Sequence, residues 1–302
     1  MVLYIDFVKN NLTNNSYSIK IFNTMTENNQ IFKQLGLNDF FSRHAIFTIE
    51  ELDHFLLGQK SLNLNTRKSL LAYHRKKGRI INIQRGLYAT IPYSSDPSSF
   101  PVDPYLLTAK MAKDAILAYS TALQFHGKAY SIHNRLLYIS SKKPLNLKFR
   151  QYEIKGILTP SALSSKGKEM FGVMVFNRSG VELKVTNLER TFVDVIDRPY
   201  LAGSWEEIWR SLESIEFFDL DQVVSYVRLL ENKSTAAKVG FFLESHKDAL
   251  MVEEKYLETL QKLRPRQPHY LSRKSRKDCH FVKNWNLMVP VEILSKSWEE
   301  ER

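Results

Sequence analysis

The chain has one cysteine, Cys279, in 302 residues. An intrachain disulfide is therefore excluded, and a cysteine-based zinc site has no second ligand. No apolar run approaches the roughly 18 residues that mark a membrane-spanning helix. The N-terminus shows no basic stretch leading into an apolar one, so a cytoplasmic protein is expected. Glycine is scarce at 11 residues, and none fall in the GxGxxG or GxxxxGK spacing that cradles phosphates. The eight histidines are scattered, with no i, i+4 pair of the metalloenzyme kind. Acidic residues are the minority, 32 against 43 Lys and Arg, leaving a net charge of +11. Such a surplus favours an anionic partner: nucleic acid, a membrane surface or an acidic protein.

The most informative stretch runs from Phe47 to Pro92. Thr48 and Glu51 have the spacing of a capping box, with Phe47 and Leu52 placed as a hydrophobic staple. Leu52, Phe55 and Leu56 continue one helical face. A second helix is expected from Asn65 as N-cap to about Lys77, closed by Gly78. Leu70, Leu71 and His74 form its inward face. Thr66, Arg67, Lys68, Ser69, Ala72, Tyr73 and Lys76 are left for solvent or a partner. Positive charge in a first turn opposes the helix dipole, so Arg67 and Lys68 there suggest an external anion. Arg79–Ile83 and Gly86–Ile91 then alternate as two strands turning at Gln84-Arg85.

Helix, helix and hairpin in this order predict a winged helix-turn-helix. Its expected DNA contacts are Asn65, Thr66, Arg67, Lys68, Ser69, Tyr73 and Lys76 on the second helix, with Arg79, Gln84 and Arg85 on the wing. Arg67 is the residue expected to read a base, at about 1–3 kcal/mol if that base is guanine. The alternative is a small helical subdomain with a solvated basic face.

By its length the chain holds about two domains. Residues 1–26, rich in Asn, Ser and Thr, read as a flexible tail. A helix over about 27–35, stopped by Gly36, completes a first domain of 27–92. Residues 93–104, with three prolines and four serines, read as a linker. Residues 105–302 form a larger α+β domain. Strands are expected at Ala115–Tyr119, Leu136–Ser140, Leu147–Leu158, Phe171–Asn177 and Val181–Val185, in a mostly antiparallel sheet. The stretch LTPSALSSKGKEMFG reads as an exposed loop.

Helices follow. Thr186 and Glu189 have capping-box spacing, Ser204, Asp219 and Ser234 are further caps, and another helix covers 248–262. Arg190 and Asp194, at i, i+4, read as a structural ion pair, and Trp205 and Trp209 as core. Residues 264–277 are strongly basic and read as a second nucleic-acid contact, a partner-binding arm or a solvated loop. Leu287–Leu294 reads as an extended edge segment because of Pro290.

Three segments resemble the AbiEi antitoxins, the transcriptional-regulator halves of type IV (abortive infection) toxin–antitoxin pairs. They are Phe47-Thr48 with Glu51-Leu52, Lys76–Ile80 and Arg85–Tyr88; then VTNLERTFVDVIDRPYLAGSWEEIWRSL; then WNLMVPVEI. The resemblance implies that the first domain binds repeats upstream of its own operon and represses it. It also implies that the second domain counters a nucleotidyltransferase toxin, and Arg190 is the residue singled out there. A regulator without a toxin partner is the nearest alternative.

Enzymatic readings have weaker supports. Glu182-Leu183-Lys184 matches half of a restriction-type nuclease motif but has no aspartate nearby on a neighbouring strand. Gly203-Ser204 with Asp219 and Asp221 echoes a nucleotidyltransferase pair at the wrong spacing. No catalytic residue, metal or cofactor is assigned.

Overall fold

The computed structural model describes residues 36–59, 63–272 and 278–299. The proposed tail and the helix placed at 27–35 lie outside these residues, as does the 273–277 part of the basic stretch. The chain separates into two compact units divided between Phe100 and Pro101, inside the proline- and serine-rich segment.

In the first unit, residues 36–43 are helical (α1), so Gly36 does not stop a helix there. Strand β1 (Ile46–Thr48) leads into α2 (Ile49–Gly58), then α3 (Leu64–Lys76), β2 (Ile80–Gln84) and β3 (Leu87–Thr90). The three strands form one antiparallel sheet in the order β1-β3-β2. The Thr48–Glu51 capping box is formed in both directions, at 3.3 and 2.8 Å. Phe47 and Leu52, the staple pair, are fully buried. They share a core with Leu37, Phe40, Phe41, Leu56, Leu71 and Ile80. Each such side chain contributes roughly 1.5–3 kcal/mol by leaving water.

The second unit is α+β. It opens with α4 (Pro104–Ala109), β4 (Ile116–Leu117), α5 (Ser120–Phe125) and β5 (Arg135–Ser140). Next come β6 (Asn146–Phe149), β7 (Tyr152–Leu158), α6 (Ser161–Ser164), β8 (Val173–Arg178) and β9 (Val181–Thr186). The single strand expected over 147–158 is a hairpin, because Arg150 adopts a positive φ of 52° and reverses the chain. The sheet order is β6-β7-β5-β4-β9-β8. The pairings β5–β7 and β4–β9 are parallel and the other three antiparallel, so the sheet is mixed, with antiparallel pairing in the majority.

Helices α7 (Leu188–Asp197), α8 (Trp205–Glu213), α9 (Leu220–Leu230), α10 (Lys233–Ser245) and α11 (Glu254–Leu263) follow. Asn187, not Thr186, caps α7, and Asn232, not Ser234, caps α10. Thr186 instead ends β9, with its hydroxyl 2.7 Å from that of Thr191. Glu189 accepts from the Asp219 amide at 3.2 Å rather than closing a cap. Ser204 and Asp219 do cap their helices, and Trp209 is buried in the main core with Trp205 packed against it.

A second small sheet joins β10 (His269–Tyr270), β11 (Cys279–Val282) and β12 (Leu287–Pro290), ahead of α12 (Val291–Leu294). Here β12 is the central strand, not an edge, and Pro290 is its last residue. Trp285 just before it is fully buried and lies on Gly240 of α10; a Cβ there would fall 2.0 Å from the indole. The closing motif thus docks where α10 has no side chain.

Candidate nucleic-acid interface

Helix α3 begins two residues before its expected start. Asn63 is the N-cap, its Oδ1 accepting from the Asn65 amide at 2.9 Å. At the other end Arg79 N donates to His74 O at 2.9 Å and Gly78 N to Arg75 O at 3.0 Å. With Gly78 at φ +67° this is a Schellman closure.

The arc of α3 that faces solvent is continuous. Asn65, Ser69, Ala72 and Lys76 run down its centre at helical spacing and are all exposed. Lys68 and Arg75 flank them on one side, Thr66, Tyr73 and Lys77 on the other, again all exposed. Lys77 sits 5.9 Å from the Tyr73 ring, which is itself half-exposed. The helix contains no Asp or Glu, so nothing on it cancels these charges. Arg75 and Lys77 are not among the expected contacts; cations in a last turn also complement the helix dipole, so their residue type alone does not single them out.

Two expected contacts are turned inward. Arg67 ion-pairs with Asp53 of α2, and only 16% of its side chain is exposed. Arg67, Leu70, Leu71 and His74 stand at i, i+3, i+4 and i+7, so Arg67 belongs to the inward face. Arg79, at the start of the hairpin, donates to the Ile91 carbonyl and stacks 4.0 Å over the Tyr93 ring. Arg67 therefore braces α3 against α2, and Arg79 ties the hairpin to Ile91 and to the exposed Tyr93 ring.

The hairpin tip turns at Arg85-Gly86, with Gly86 at φ +81°, and Gln84 is paired in β2 opposite Leu87. Gln84 is partly buried, whereas Arg85 is exposed. The Gly86 carbonyl accepts from Ile49 N at 2.8 Å, which ties the tip to the start of α2. Behind α3, His74 packs edge-on against Phe41 at 4.9 Å. Burial, and then the nearby Arg79 charge, hold its imidazole below the usual histidine value.

In the second unit Arg190 is fully buried. Its Nη1 donates to the Glu169 and Phe171 carbonyls, both at 2.7 Å, and its Nε lies 3.4 Å from Asp194. The Tyr226 hydroxyl donates to the other Asp194 oxygen at 2.7 Å. Burial raises the Asp194 carboxyl against the pull of Arg190 and Tyr226. Phe171 stacks on Tyr226 at 5.5 Å. The stretch expected as an exposed loop is exposed over 164–168, but its end is held by this guanidinium at Glu169 and Phe171, and Leu163 of α6 within it is buried.

Glu182 and Lys184 of β9 stand 3.8 Å apart as neighbours on one strand face. Asp219 is occupied in capping α9. Among the described residues no three His, Cys, Asp or Glu side chains gather in a way that could hold a metal ion. No helix of the described residues is long and apolar enough to cross a membrane.

No family model and no curated protein matches the chain. Among solved structures, that of the RV2827C protein from Mycobacterium tuberculosis is similar. Its TM-score is 0.57 at 16% identity, covering 86% of this chain and 91% of that one. At that identity the similarity speaks for the fold alone.

Proposed function

We propose that the first unit is a winged helix-turn-helix that binds double-stranded operator DNA, with α3 in the major groove. In the same reading the protein is the cytoplasmic repressor and antitoxin of an AbiEi-type, type IV toxin–antitoxin operon, and counters a nucleotidyltransferase-like toxin. The observation that carries the DNA half is the exposed arc of α3. It is polar and basic along its length, free of carboxylates, and rooted on an apolar core. Such an arc offers cations to phosphates and amide, hydroxyl and aromatic groups to base edges. The order helix, strand, helix, helix, hairpin and the exposed Arg85 at the hairpin tip support it further.

Asn65, Thr66, Lys68, Ser69, Tyr73 and Lys76 are the proposed contacts, joined by Arg75, Lys77 and Arg85. Arg67 and Arg79 support them without touching DNA. The antitoxin half rests on the resemblance of the two later segments.

A gel-shift titration against the chain's own upstream DNA, at about 150 mM salt with competitor, tests the first half. Sequence-dependent binding lost on replacing Lys68 and Lys76 together is the expected result; binding that competitor removes entirely would refute it. A nucleotidyltransferase-like toxin encoded beside this gene is the prediction of the second half, and co-expression with it should relieve its growth arrest; the absence of such a gene would refute this half.

A further inference from the structure

The two edges of the six-stranded sheet differ in kind. At one edge β6 is four residues long, carries Lys148, follows Lys142, Lys143 and Pro144, and turns at Arg150. Shortness, lysine and proline all discourage another strand from pairing. At the other edge β8 has six residues, Val173-Met174-Val175-Phe176-Asn177-Arg178, of which the first four are apolar. It contains no proline and keeps an unbroken register with β9. Among the described residues β8 pairs with β9 alone. Met174 is 46% exposed and Val175 55%.

The charges beside β8 are closed on themselves. Arg178 is paired with Asp103 at 2.6 Å, and Lys184 stands 3.8 Å from Glu182. In a chain of net charge +11 this matters, because most approaches between two copies set cation against cation. At β8 they do not.

We propose that β8 is a self-association edge, to which a second copy of this chain adds its own β8 antiparallel about a two-fold axis. A two-fold at Val175 sets Val175 opposite Val175, Met174 opposite Phe176 and Val173 opposite Asn177. This register opposes no like charges and pairs mainly apolar side chains. One strand pair buries less than the ~1,200–2,000 Å² of a standard interface, so the dimer forms only at raised concentration. The inference does not depend on what the first unit binds.

Sedimentation velocity of the full chain without DNA, from about 1 to 200 µM, is the test. The expected result is a sedimentation coefficient that climbs toward that of a dimer. Val175→Lys, an exposed edge substitution, should stay monomeric throughout with unchanged thermal unfolding. Val175→Cys should cross-link on oxidation about ten-fold faster than Ile132→Cys, which is 87% exposed but off this edge. A wild-type monomer at every concentration would overturn the proposal. So would a Val175→Lys protein that still dimerises, or equal cross-linking at the two cysteines.

Discussion

Arg67 of α3 and Asp53 of α2 form an ion pair across the two helices, with side chains only 16% and 25% exposed. A cation that reads as a DNA contact in the sequence is thereby a fastener between the helix that faces outward and the one behind it. Arg67 Nε and Asp53 Oδ1 are buried without a hydrogen-bond partner, so the pair depends on its one direct contact. Arg67→Ala should therefore act on stability before it acts on DNA. It leaves Asp53 half-buried and unpaired, at about 1–2 kcal/mol. Asp53→Ala in the same chain should recover part of that in urea unfolding, as a double-mutant cycle. If Arg67→Ala kept full stability and lost operator binding, Arg67 would be a base reader after all.

The exposed cations should behave in the opposite way. Lys68→Ala, Lys76→Ala and Arg85→Ala sit on solvent-facing positions and should change stability by no more than about 0.5 kcal/mol. Each should weaken DNA binding on every sequence alike and reduce the salt slope by about 1, as expected for one phosphate contact. Filter-binding at several salt concentrations reads this directly. An unchanged slope for all three would remove α3 and the hairpin tip from the interface.

How much of this was visible in the chain depends on how local the cause was. The box at Thr48–Glu51 and the cap at Ser204 are readable because cap and capped amide lie within one turn. Cap positions slipped where two capable residues compete, as with Asn63 and Asn65, Thr186 and Asn187, or Asn232 and Ser234. The neighbouring turn chooses between them. Arg67's inward position was in fact readable, since it continues the spacing of Leu70, Leu71 and His74. Its charge at a helix start equally fits an exposed contact, and the Asp53 partner on α2 decides between the two. The parallel pairing of β5 with β7 and of β4 with β9 had no local signal, because strand order is set by packing between distant segments. The same holds for Gly240, whose importance appears only when Trp285 arrives from far along the chain.

The first unit should lose stability on acidification through His74. Its imidazole is held below the ordinary value of about 6.5 by burial and by Arg79, so the folded state keeps it neutral. Below about pH 6.5 the unfolded chain takes up a proton that the folded chain does not. Stability contributed by the neutral ring is therefore complete above that pH and declines as pH falls toward the folded value. Urea midpoints at pH 7.5, 6.5 and 5.5 should fall in that order, and His74→Gln should flatten the trend. A trend that survives His74→Gln unchanged would assign it to another group.

Arg190 makes the sharpest separation between a structural and a functional role. Its guanidinium meets two backbone carbonyls and one carboxylate in a fully buried setting, and a flat fork with several donors suits that geometry. Arg190→Met removes the cation but leaves Asp194 buried, with only the Tyr226 hydroxyl to face it. The loss should be about 3–5 kcal/mol in the unfolding of the second unit. Arg190→Lys should recover less than half, because one ammonium cannot reproduce the fork. Adding Asp194→Asn to Arg190→Met should restore more than Lys does, since it removes the stranded charge. Release of the 165–172 segment should accompany the loss, seen as faster amide exchange there, because the Glu169 and Phe171 carbonyls would have lost their donor. An Arg190→Met protein that unfolds like wild type, with unaltered exchange, yet fails to relieve the growth arrest of the proposed toxin would instead place Arg190 in the proposed antitoxin function itself.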